Sequence, residues 1–144
     1  MSRNDLPTVE GESTQYWQAQ REEELLIARC ESCGHVHHYP RPFCPRCWSD
    51  DLVTEQASGR ATLYTYSTVY MNDLAPFNER LPYIAAVVDL AEGPRLMTNI
   101  VDCAPEDLRI GMPLTAAFSA LTDEVTAVMF RPAPADSPAE PNAR

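Results

Sequence analysis

The stretch CESCGHVHHYPRPFCPRC, Cys30 to Cys47, places four cysteines, three histidines and three prolines in eighteen residues. Its cysteines form two pairs, Cys30/Cys33 and Cys44/Cys47, each with two residues between, and ten residues separate the pairs. Two such turns facing each other present four thiolates tetrahedrally, the arrangement zinc takes in closed structural sites. Gly34 helps the first knuckle turn back, since glycine tolerates positive φ; the second knuckle, CPRCW, lacks a glycine at that place. Four thiolates also suit iron, and spacing does not separate the two metals; one structural zinc ion is the expectation. Residues 29–52 are too few to fold on their own apolar burial, whereas a structural zinc contributes roughly 10–16 kcal/mol in small peptides. With sulfur in all four positions, no open place remains for water or substrate, so a staple is expected rather than a reactive centre.

Upstream, residues 1–13 are polar and pattern-free and read as a flexible end. Residues 14–28 read as a helix and a lead-in strand. Ser13 is placed to cap a helix from Thr14 to about Glu24, with Tyr16, Trp17 and Ala19 as its few apolar positions, and LLIARC then reads as a short strand entering the first knuckle.

Downstream, residues 53–131 read as an all-β unit. LVTEQASGRATLYTYSTVYM reads as one long strand bent at Gly59, with Leu63, Thr65, Ser67 and Val69 on one face and Tyr64, Tyr66, Thr68 and Tyr70 on the other. YIAAVVDL, RLMTNIVD, LTAAF and VTAVMF supply four more strands. APEDLRIGMP forms a single helical turn, with Pro105 at its first position and Gly111 ending it. Five strands with a helical turn between the third and fourth match a five-stranded OB barrel, whereas an immunoglobulin-like sandwich needs about seven. The fold class is therefore mainly β, with an N-terminal helix and a small zinc ribbon ahead of the barrel. Residues 132–144, rich in proline, read as a disordered tail.

Eleven arginines, no lysine and twenty-one carboxylates give a formal charge of −10 and a pI near 4.6. A polyanion meets net repulsion from such a chain. No run approaches the ~18 apolar residues of a membrane span, and the start lacks the basic-then-apolar order of a signal peptide, so a cytoplasmic protein is expected. That reducing compartment favours metal-bound over disulfide-bonded cysteines.

The remaining candidates divide between a role and a plainer reading. His35, His37 and His38 read as solvated residues on the hairpin between the pairs. With Arg29, Arg41 and Arg46, and Arg60 close behind, they also form the one locally basic region, a docking surface for phosphates or an acidic partner or simply a solvated face. Cys103 has no histidine near it in sequence to act as a base and reads as a small buried hydrophobe. Tyr64, Tyr66 and Tyr70 fit strand packing better than base stacking. The loop holding Met71, Leu74 and Phe77 either folds back on the barrel mouth or waits for a partner or an acyl chain. No catalytic acid/base pair, nucleophile elbow or glycine-rich phosphate loop is present in the sequence.

The order of these parts, a helix with Trp17, CESCG, YPRPFCPRC, GRATLYTYSTV, LPYIAAVVDLAEGPRLMTNIV and PEDLRIGMPL, resembles the rubredoxin-like zinc-ribbon plus OB-fold family, over residues 14–131. The resemblance implies a non-catalytic accessory partner of thiolase-like, aldolase-like or hydratase enzymes, one that helps hold acyl-CoA in lipid or steroid side-chain metabolism as part of a hetero-oligomer. It supplies no catalytic residue. Single-stranded nucleic-acid binding is the alternative, because ribbons and OB barrels both serve it; residues 53–131 hold only Arg60, Arg80, Arg95, Arg109 and Arg131 as cations, which disfavours it.

Overall fold

A computed structural model describes residues 5–134. Its first regular element departs from the expected cap: Gly11–Ser13 form a 3-10 turn, and Ser13 Oγ donates to the Glu10 carbonyl at 2.7 Å instead of capping the helix. Helix α1 spans Thr14–Arg21, three residues shorter than expected, because Glu23 turns into the left-handed region (φ 62°) and the Glu24 N–H closes on the Ala19 carbonyl at 2.9 Å. Eight residues do not make a stable helix alone; tertiary contacts hold this one. Tyr16 and Gln20, four residues apart and so on one face, are its buried positions, and polar Gln20 is more buried than Trp17 or Ala19.

Strand β1 (Leu26–Cys30) then enters the first knuckle and pairs on one side with β2 (Val36–His37) and on the other with β3 (Leu52–Gln56), an antiparallel sheet of order β2-β1-β3. The single long strand expected across Gly59 is thus two strands on two sheets. β3 completes the ribbon sheet, Ala57–Gly59 make the crossing, and β4 (Arg60–Val69) opens the barrel. The chain therefore passes from the ribbon sheet to the barrel sheet at residues 57–59. Gly59 stands at φ 86°, and its carbonyl accepts from the Ala116 N–H at 2.8 Å, so the hinge is stitched to the barrel wall.

The barrel closes in the order β4-β5-β6-β8-β7, with β5 Tyr83–Leu90, β6 Arg95–Ile100, β7 Pro113–Ala120 and β8 Thr126–Pro132. The helical turn, Pro105–Asp107, lies between β6 and β7. Strand β5 alternates strictly: Ile84, Ala86, Val88 and Leu90 are buried and form the inner wall. They face Thr68, Tyr66, Leu63 and Ala61 of β4 in turn, with a bulge between Leu63 and Thr65. One extra residue, Tyr64, reverses the alternation beyond it. Tyr66 and Thr68, not Thr65 and Ser67, therefore share the inner register face, correcting the face assignment drawn from period two alone. Phe130, fully buried, faces Ala116 on one side and Ile100 on the other, where β6 and β8 meet through one parallel pair.

At the chain ends, Gly11–Ser13 form a 3-10 turn within the stretch read as flexible, and Pro132 is the last residue of β8. Residues 1–4 and 135–144 lie outside the described residues.

Candidate metal centre and the surfaces around it

The ribbon sheet sets the two knuckles face to face. β1 delivers Cys30, whose N–H donates to the His35 carbonyl at 2.9 Å while its own carbonyl accepts from Gly34 N–H at 2.9 Å. The second knuckle repeats the pattern: Cys44 N–H donates to the Ser49 carbonyl at 2.8 Å, and Trp48 N–H donates to the Cys44 carbonyl at 2.9 Å. Trp48 thus takes the place of Gly34 and its left-handed backbone, φ 67° against 79°. Ser32 and Ser49 hydroxyls, 2.8 Å apart, tie the two turns together.

The four sulfurs lie within 4.8 Å of one another, with Cys30–Cys47 at 3.5 Å and Cys33–Cys44 at 3.7 Å. A zinc tetrahedron with Zn–S bonds of about 2.3 Å has edges of about 3.8 Å, so the donor set fits one zinc ion and is too open for disulfides. Cys30 and Cys44 are buried, Cys33 and Cys47 exposed. Burial raises the Cys30 thiol, but the N–H groups of Cys33 and Ser32 and the neighbouring thiols outweigh it and bring it down to about 6. Cys44 is lowered in the same way: burial opposes, and the N–H groups of Cys47 and Arg46 prevail. Cys47 is pushed up to about 12; the Ser49 N–H favours its thiolate, but sharing protons with Cys30 and its neighbours weighs more. Cys30 and Cys44 are therefore both shifted toward the thiolate, the form in which a cysteine holds a metal ion.

The three histidines separate. His38 turns inward, its Nε2 sharing a hydrogen bond with the Tyr16 hydroxyl at 2.6 Å, and burial followed by the His37 charge lowers it to about 4. Burial also holds the Tyr16 phenol far above its ordinary value, so it keeps its proton. With Gln20 Nε2 donating to the Thr126 carbonyl at 2.6 Å, α1 clamps the ribbon to the barrel through one residue at each end of its buried face. His37 is buried with neither ring nitrogen bonded, and burial lowers its basicity too. The reading of all three as solvated is thus corrected for His37 and His38. The apolar body of the hairpin packs inward because Tyr16, Tyr39 and His38 form one ring cluster, with centroids 5.3–6.0 Å apart.

The basic region also divides. Arg29 is committed to Glu55, with its Nε at 2.7 Å, and to Glu31 at 3.6 Å. Arg41 faces His35 and His37 across a cleft of about 1010 Å³ from Asp89, Glu92 and Arg95 of the barrel. Arg95 is itself bound to Asp89 at 2.6 Å and lies 3.6 Å over the Tyr64 ring, which occupies that bulged tyrosine.

Cys103 is half-buried at a smaller pocket of about 500 Å³ beside Phe77, Arg80, Tyr83 and Met129. Burial, then the Asp107 and Glu106 carboxylates, push its thiol up, the opposite of what a nucleophile needs. In the loop before β5, Phe77 folds back against Tyr83, whereas Met71 and Leu74 stay exposed. The clamp residue Gln20 was missed from sequence, since a glutamine on a polar helix carries no burial signal. No helix among the described residues is long and apolar enough to cross a membrane.

Two family models match in tandem: the rubredoxin-like zinc ribbon domain of ChsH2 over residues 17–53 and the C-terminal OB-fold domain of ChsH2 over residues 54–119. A "DUF35 domain-containing scaffold protein" of Methanocaldococcus jannaschii is 38% identical over 112 residues, 75% of this chain and 77% of that protein. This chain belongs to the ChsH2 (DUF35) family. Within the family, a "Probable enoyl-CoA hydratase alpha subunit" of Thermomonospora curvata is 35% identical over 88% of this chain, which spans only 39% of that subunit's length. A solved structure described as "Ltp2-ChsH2(DUF35) aldolase" contains a chain 35% identical to this one, with a TM-score of 0.77 over 88% of this chain and 98% of that one.

Proposed function

We propose that this chain is a non-catalytic accessory subunit: Cys30, Cys33, Cys44 and Cys47 hold one structural zinc, and the assembled ribbon and barrel dock on a thiolase-, aldolase- or hydratase-type enzyme. In that hetero-oligomer it helps bind or present an acyl-CoA of lipid or steroid side-chain metabolism in the cytoplasm. The observation that carries the reading is the likeness, over nearly the whole of the DUF35 chain, to a component of the Ltp2-ChsH2 aldolase. The T. curvata relative's name adds the acyl-CoA chemistry and the subunit role.

The site supports it from the other side. A zinc with four thiolates has no place for a substrate, so what it supplies when bound is a cross-link between β1 and the second knuckle. Among the described residues, the one cysteine outside the ribbon has a raised pKa and no histidine at its pocket. Nucleic-acid binding gains nothing from the surface, since Arg29, Arg95 and Arg131 are paired with carboxylates on a chain of charge −10. The test is co-expression of the tagged full chain with each thiolase-, aldolase- and hydratase-type enzyme of its host, read by size exclusion and mass spectrometry of the purified complex. One stoichiometric complex whose enzyme loses activity or solubility without this chain is expected. Enzymes that behave identically with and without it overturn the reading.

A further inference from the structure

We propose that Trp48 is the anchor by which the second knuckle docks, its indole entering an apolar pocket of the partner enzyme with a carboxylate at the rim. The proposal rests on the accessory-subunit reading and names the contact that reading lacks. The two knuckles are near repeats of one turn, and each needs a left-handed residue after its second cysteine. The first uses Gly34, which adopts φ 79° without a side chain to hinder it; the second uses Trp48 at φ 67°. Left-handed backbone is strained for any residue carrying a Cβ and is least expected of a bulky one.

The left-handed turn lets the Trp48 N–H reach the Cys44 carbonyl, as a glycine would, but the indole side chain gains nothing inside the chain. Its side chain is 76% exposed, and among the described residues it makes no ring contact and its indole N–H no hydrogen bond. The other two non-glycine residues with positive φ have local reasons: Glu23 terminates α1, and Asp102, of a type that tolerates this region, faces Arg131 at 4.0 Å. Exposed Tyr70, Met71 and Met97 lie in ordinary backbone, so exposure alone does not mark them. A bulky side chain kept at a left-handed position where the fold draws no benefit from that side chain points to a contact outside the chain.

The surroundings of Trp48 give the partner's chemistry. Phe43, which precedes Cys44, is 50% exposed, and Arg46 within the knuckle has no carboxylate within 4.0 Å among the described residues. Tryptophan and arginine are the residue types that dominate interface energetics when buried in a partner's pocket. The knuckle is also rigid once metal is held, so little ordering entropy opposes docking. An apolar pocket with one carboxylate placed to meet Arg46 complements this tip, whereas a polyanionic, phosphate-lined groove would also meet Asp50 and Asp51, which follow directly in the chain.

The test uses the enzyme identified by the co-expression screen and the zinc-loaded full chain, with Trp48→Gly, Trp48→Ala and Trp48→Tyr. Trp48→Gly is expected to raise the Tm of the isolated chain by about 2–4 °C, because it removes the strain, while weakening partner affinity at least tenfold by titration calorimetry. Trp48→Ala weakens binding equally without the gain in Tm, and Trp48→Tyr restores most of the affinity. A Trp48→Gly chain that binds within threefold of wild type, or whose Tm does not rise, overturns the anchor and leaves the accessory reading standing. Failure of the wild-type chain to bind any of these enzymes overturns both.

Discussion

Acid should loosen the clamp between helix and ribbon through His38. In the folded chain its Nε2 is hydrogen-bonded to the Tyr16 hydroxyl at 2.6 Å, and burial, with the His37 charge, lowers it from the ordinary 6.5 to about 4. Between those two values the unfolded chain holds a proton that the folded chain does not. Stability is therefore complete above about pH 6.5, falls as pH drops, and levels off below about 4. The two pKa values imply a loss of about 2 kcal/mol by pH 5 and about 3 kcal/mol at the plateau. His37, lowered first by burial and then by His35 and Arg41, adds with the same sign. Urea unfolding of the zinc-loaded chain at pH 7.5, 6.0 and 5.0, followed by tryptophan fluorescence, reads the effect. His38→Gln keeps an acceptor for Tyr16 but does not titrate, and metal loss is common to both proteins, so the difference between them isolates the imidazole. The wild type should lose about 2 kcal/mol more than His38→Gln between pH 7.5 and 5; parallel pH profiles would refute the clamp.

Three further outcomes follow from the site and the hinge. Zinc should bind in a ratio of one to the full chain without visible absorbance. Cys44→Ser, at a fully buried position, should lower zinc retention and abolish ribbon protection in hydrogen exchange while β5 and β7 keep theirs; a red, iron-loaded protein would contradict the assignment. Gly59→Ala should cost about 1–2 kcal/mol from its positive φ. An added Cβ there meets Ala116 Cβ at an ordinary 3.4 Å, so a second change, Ala116→Gly, should not rescue it in thermal unfolding, and rescue would assign the cost to crowding instead.

Much of this molecule was legible from local chemistry. Thiolate spacing is a property of a few consecutive residues, and Cys30, Cys33, Cys44 and Cys47 converge as their spacing implies. The alternation of YIAAVVDL placed β5 at Tyr83–Leu90, because a strand buried on one face writes that face into the sequence at period two. Pro105 marked its helical turn for an equally local reason, a fixed φ. Five strands with a helical turn between the third and fourth point to an OB barrel, and the strands close as one.

What escaped the sequence depends on partners distant along the chain. Whether LVTEQ continues into GRATLY or stops is decided by hydrogen bonds to β1 on one side of Gly59 and to β5 and β7 on the other. The bulge at Tyr64 exists only relative to Leu63↔Val88 and Thr65↔Val87, so no periodicity within β4 reveals that its inner face changes. Gln20 is buried because Thr126, 106 residues away, offers a carbonyl, and His38 because Tyr16 offers a hydroxyl. Sequence by itself determined which residues carry chemistry and which strands alternate, since those are written in neighbouring side chains. Only the tertiary structure decided which sheet, face and partner each one meets, because register and polar pairing are fixed between segments that the chain does not place side by side.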